Sequence, residues 1–150
     1  MALRPTRNEF LTDLSFFMNE TSERGILVSM STEGSGAAMD DSAAAVKVPV
    51  ATSDKPMGLL LCDVVNLDLT RQHINYAKDE MQKGGKVLLL RRGFVVTNMI
   101  SGTITAGERA HFVEGGLLCS KTASDASSVV GRWLSTPDAD GYAKVEINIQ

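Results

Sequence analysis

Tryptophan occurs once, tyrosine twice and cysteine twice in the 150 residues. Each cysteine ends an apolar run, Leu59-Leu60-Leu61-Cys62 and Leu117-Leu118-Cys119. Their spacing is no disulfide framework and points to synthesis in a reducing compartment, with a bridge between the two left open because spatial neighbours are not readable from sequence. No apolar run approaches the roughly 20 residues of a membrane span, and the charged start Met1–Arg7 is not followed by the apolar stretch of a signal peptide. Neither membrane association nor export is therefore expected. Clustered cations are also scarce. The formal charge is −3, and Arg91-Arg92 is the only tight basic pair apart from scattered Lys and Arg. Binding to a phosphate backbone depends on such clusters, so nucleic acid is not expected as a partner.

Catalytic signatures are missing too. His73 and His111 fall in different segments, with no His, Cys or acid at ligand spacing, and read as surface or rim residues. There is no Gly-x-Ser-x-Gly elbow to anchor Ser–His–Asp chemistry. Gly34-Ser35-Gly36 has Met39 where a dinucleotide loop needs its third glycine, and Gly84-Gly85-Lys86 lacks the flanking residues of a phosphate loop. Asp138-x-Asp140-Gly141 has no distal bidentate acid and reads as a turn rather than a calcium loop. The expectation is a non-enzyme without catalytic residues, cofactor or metal.

What is present is ordinary globular composition, 43% apolar and 22% charged, in a chain suited to one domain. Three textures divide it. In residues 1–25, Phe10, Leu11, Leu14, Phe17 and Met18 fall at helical spacing, which fits either a short amphipathic helix or an arm that docks elsewhere. Residues 31–45 are rich in Ser, Ala and Gly and read as a long surface loop. Val46, Val48 and Val50 suggest an edge strand, because Pro49 donates no ladder bond. From Met57 onward strand signals dominate. The continuous run Met57–Val65 suits a strand buried on both faces. Lys86–Leu90 and Phe94–Thr97 read as a hairpin around an Arg91-Arg92-Gly93 tip, a candidate contact for an acidic surface. Val129–Leu134, with Trp133 in the core, and the strict alternation Ala143, Val145, Ile147, Ile149 close the chain. These short strands predict a mainly β protein, a small β-barrel or sandwich domain over 26–150 preceded by an N-terminal arm over 1–25.

The order of segments resembles the capsid decoration (cement) proteins of tailed phages. The matching stretches are Pro56–Asn66, Gly84–Gly93, Thr105–Ala110, Val130–Ser135 and Asp140–Ile147, with Asn8–Thr21 similar to the start of such proteins. The resemblance implies a compact β-tulip, or lambda-decoration-like, fold without catalysis. It also implies a virion protein, made in the host cytoplasm, that binds the outer capsid surface with the major capsid protein as partner. A homotrimer is the expected assembly, with a dimer as the other closed form. The crowding of apolar residues near the terminus marks Phe10, Leu14, Phe16 and Phe17 as candidate capsid contacts, with Arg4 and Arg7 beside them in the same segment. The alternative is a small β-barrel binding or carrier module. A carrier needs a modified lysine at a hairpin tip, and Lys55 and Lys86 border turns without the expected flanking residues.

Overall fold

The computed structural model describes residues 2–34, 44–63, 80–81, 83–120 and 127–149. Within them the chain is mainly β. The strands are β1 (Asn8–Met18), β2 (Ser22–Glu23), β3 (Leu27–Gly34), β4 (Ala44–Lys47), β5 (Pro56–Asp63), β6 (Glu80–Met81), β7 (Lys86–Thr97), β8 (Arg109–Phe112), β9 (Leu118–Ser120), β10 (Gly131–Trp133) and β11 (Ala143–Asn148). A 3-10 turn over Glu114–Gly116 links β8 to β9.

Nine strands form one sheet in the order β1-β4-β3-β5-β7-β11-β10-β8-β9, and β1 also pairs with β7. That extra pairing closes β1, β4, β3, β5 and β7 into a hydrogen-bonded ring. β5 and β11 lie one after the other along the same partner, β5 against Val87–Leu90 and β11 against Arg92–Thr97. β7 is therefore shared between the ring and the outer strands.

The sequence texture follows from this position. Leu60, Val28, Val87 and Leu89 pack with Phe16, Met18, Ile26 and Val46 in one core cluster. Leu27, Leu59, Leu61 and Leu90 point the other way, into a second cluster with Phe112, Leu118, Trp133, Val145 and Ile147. Successive strand side chains alternate faces, so β3, β5 and β7 are apolar at consecutive positions because both faces are buried. β11 has a core on one face only, which gives its clean alternation. Trp133 is fully buried and its indole Nε1 donates to the Cys119 carbonyl at 3.2 Å.

Four expectations are corrected. Residues 8–18 form an extended strand, not a helix: β1 runs antiparallel to β7 and its last three residues pair parallel with β4. Three register shifts along β1 break its alternation, and bulges of this kind leave a pattern that mimics helical spacing. Arg91-Arg92-Gly93 is not a hairpin tip, since β7 continues through it for 12 residues. Gly93 serves close approach instead, because a Cβ there would run into the Asn8 carbonyl oxygen. β4 ends before Pro49 and lies between β1 and β3, so it is no edge strand. His111 is 3% exposed, not a rim residue, because β9 and Ser127 cover it. Of the loop expected over 31–45, residues 31–34 belong to β3 and residues 44–45 to β4; residues 35–43 and His73 lie outside the described residues.

Candidate interaction surface

Residues 2–4 continue the ladder along β7 beyond β1 itself. Leu3 forms a bridge with Thr97, the Arg4 amide donates to the Val96 carbonyl at 3.0 Å, and Thr97 Oγ1 donates to the Ala2 carbonyl at 3.1 Å. Ala2 and Leu3 are buried. Residues on both sides of position 25 share one sheet, and the candidate contacts Phe10, Leu14, Phe16 and Phe17 sit on β1.

Of those candidates, Phe16 points inward and is 7% exposed, so it belongs to the core rather than to a contact. Phe17 is half-buried with the Lys86 ammonium 5.5 Å from its ring centroid. Phe10 is 64% exposed and Leu14 49%, and between them Leu11 is 51% exposed. Phe10 meets Phe94 edge-to-face with centroids 5.5 Å apart. Phe94 thus joins Phe10 in an aromatic contact that the sequence reading did not assemble, on the strand that also exposes Leu11 and Leu14.

Arg4 engages the Pro137–Gly141 turn. Its Nη2 lies 3.2 Å from Asp138 Oδ2 and 3.1 Å from Asp140 Oδ2, and its guanidinium stands 4.2 Å from the Tyr142 ring centroid. Arg7 Nε pairs with Glu9 Oε1 at 2.6 Å. Both arginines, with Arg24, Leu3 and Pro5, line a shallow depression. Arg4 thus ties the start of the chain to the Pro137–Gly141 turn. In that turn Asp138 Oδ1 accepts from the amides of Tyr142 and Asp140 at 2.9 and 3.0 Å. The Tyr142 amide bond, helped by the other amides and Arg4, holds the Asp138 carboxyl below the usual range. Asp54 is lowered by the same logic, first through the Val50 amide at 2.9 Å, then through Ala51 and Lys47.

The edge of β1 opposite β7 is poorly suited to adding another strand. The Asp13 carboxylate accepts from both the amide and the hydroxyl of Ser15, and the register shifts twist the strand. Devices of this kind blunt exposed edges. The surface on offer is one of side chains rather than of backbone.

Buried polar side chains among the described residues include His111, Ser120 and Ser127. His111 Nδ1 lies 3.0 Å from the Ser127 carbonyl oxygen. Its Nε2 and the hydroxyls of Ser120 and Ser127 have no partner among the described residues. Three or more His, Cys, Asp or Glu side chains do not come together at ligand distance among the described residues. Cys119 is buried on β9, and the side chain of Cys62 lies outside the described set. No helix among the described residues is long and apolar enough to cross a membrane. No protein-family model matches the chain, and no curated protein is significantly similar to it.

Proposed function

We propose that the chain is a structural virion protein that binds the outer surface of a mature phage capsid and cements neighbouring major capsid protein subunits against internal DNA pressure. The observation that supports this reading is the exposed trio Phe10, Leu11 and Leu14 on a strand whose backbone is paired along β7. Exposed apolar clusters mark interaction sites. Carried on a fixed strand, these side chains lose little further freedom on binding, so more of the contact energy survives as affinity. The ring of strands is read as the β-tulip barrel of the decoration proteins, which the segment order resembles. Arg4, Arg7 and Phe17 flank the trio as polar or partly covered contacts. Binding only the expanded shell stabilises that state by mass action.

The test is co-sedimentation of the purified protein with mature and with unexpanded capsids, beside a Phe10→Ala/Leu14→Ala variant. Selective association with mature shells, lost in the variant while its fold is intact, is expected. Wild-type protein that stays in the supernatant with both shells refutes the reading. Light scattering of the free and shell-bound protein separates the trimer from the dimer.

A further inference from the structure

Register places a row of side chains across the outer strands. Arg109 on β8 faces Arg132 on β10, which faces Glu146 on β11, which faces Phe94 on β7, which faces Asn8 on β1. Directly paired residues share a face. This face is the one turned away from the core, because the alternate residues Ala110, Val145, Ile147 and Val95 are buried. The adjoining rows add Asn148 with Arg92 and Lys144 with Val96. Within these rows four cations, Arg92, Arg109, Arg132 and Lys144, stand with one carboxylate, Glu146, in a chain whose formal charge is −3.

Two features of this face have no role in the isolated fold. Arg109 and Arg132 are exposed like charges directly opposite each other, an arrangement that destabilises a strand pair. Neither they nor Arg92 makes an ion pair among the described residues. Beside them Arg132, Asn148, Val129, Gly131 and Glu146 line an open depression of about 240 Å³, and Phe10 stands at the far side against Phe94.

We infer that the outer face of β8, β10, β11 and β7 docks an acidic protein surface, with Phe10 as its apolar anchor and Arg92, Arg109, Arg132 and Lys144 as its charge complement. This rests on the capsid-binding reading and names the chemistry of the shell surface. Charge decides the occupant. A two-fold contact of this face with itself would bring the two sets of cations together, which excludes the isologous dimer here. Single-stranded nucleic acid needs an open aromatic face for base stacking. The Phe94 ring is already engaged by Phe10 and by Lys144, whose ammonium lies 5.5 Å from its centroid.

Arg109→Glu separates fold from docking. The substitution sets a carboxylate opposite Arg132 in place of a like charge, so the melting temperature should rise by roughly 1–4 °C, while capsid association at low salt should fall about tenfold or more. Wild-type association should weaken steeply with added salt. A variant that co-sediments as wild type does overturns the inference and leaves the capsid reading standing. If the wild-type protein binds no capsid, that reading fails, and titration with poly-L-glutamate decides the face. Amide shifts confined to β8, β10, β11 and residues 92–97 of β7 sustain it, and their absence overturns it. Preferential binding of oligothymidylate, or salt-sensitive self-association of the free protein, assigns the face to another occupant and likewise overturns the inference.

Discussion

Leu3→Ala measures how firmly the start of the chain belongs to the fold. Leu3 is 2% exposed and packs in the larger core cluster with Leu27, Leu59 and Trp133. Truncating a buried leucine removes its transfer energy and leaves a cavity, costing about 2–5 kcal/mol. Against a total of roughly 5–15 kcal/mol for a domain, that is a large share, equivalent to a melting shift of roughly 5–15 °C at this chain length. Trp133 is the only tryptophan and is fully buried, so its fluorescence reports urea unfolding directly. Phe10→Ala provides the contrast. Its side chain is 64% exposed, and its edge-to-face contact with Phe94 is worth about 0.5–1.5 kcal/mol. A Leu3→Ala midpoint within about 0.5 kcal/mol of wild type, as for an ordinary surface change, would mean that the first residues are a detachable arm and that the continuous ladder along β7 is wrong.

Gly131→Ala should destabilise by about 1–3 kcal/mol in the same urea assay, because its Cβ would run into the Glu146 carbonyl and push β10 from β11. Ser120→Ala should be neutral or stabilising in urea unfolding, since the buried hydroxyl has no partner to lose among the described residues. Asp54 and Asp138 both have folded-state values below the unfolded carboxylate. Their stabilisation is therefore complete above about pH 4 and lost as pH falls through the lower folded values. Acid-unfolding curves of Asp54→Asn and Asp138→Asn should accordingly show a shallower acid limb and little change in slope near neutrality.

β5 and β11 were legible because burial on two faces or on one leaves its own pattern in the residues. Trp133 and the Pro137–Gly141 turn followed from side-chain size and turn chemistry. β1 was not legible, since its bulges erase the period of two and its main partner lies about 70–85 residues further along the chain. β7 was split in two because Arg91-Arg92-Gly93 has turn composition, while its actual demand is room for the Asn8 carbonyl. His111 was misplaced because neighbouring positions on β8 are buried on both sides. The row from Arg109 to Asn8 depends on register across five strands, and a shift of one residue would scatter it. Single residues named part of the interaction surface, but only the pairing assembled it.

β1 and β11 both run antiparallel to β7, one on each of its sides. The two flanking strands are therefore parallel to each other. Tension that pulls residue 3 and residue 148 apart drags these strands in opposite directions along β7. The ladder bonds lie across that direction, so they are strained together in shear instead of opening one by one like a zip. A molecule gripped near both places would resist stretching as a unit, with β7 as the rail along which it must slip before any core is exposed.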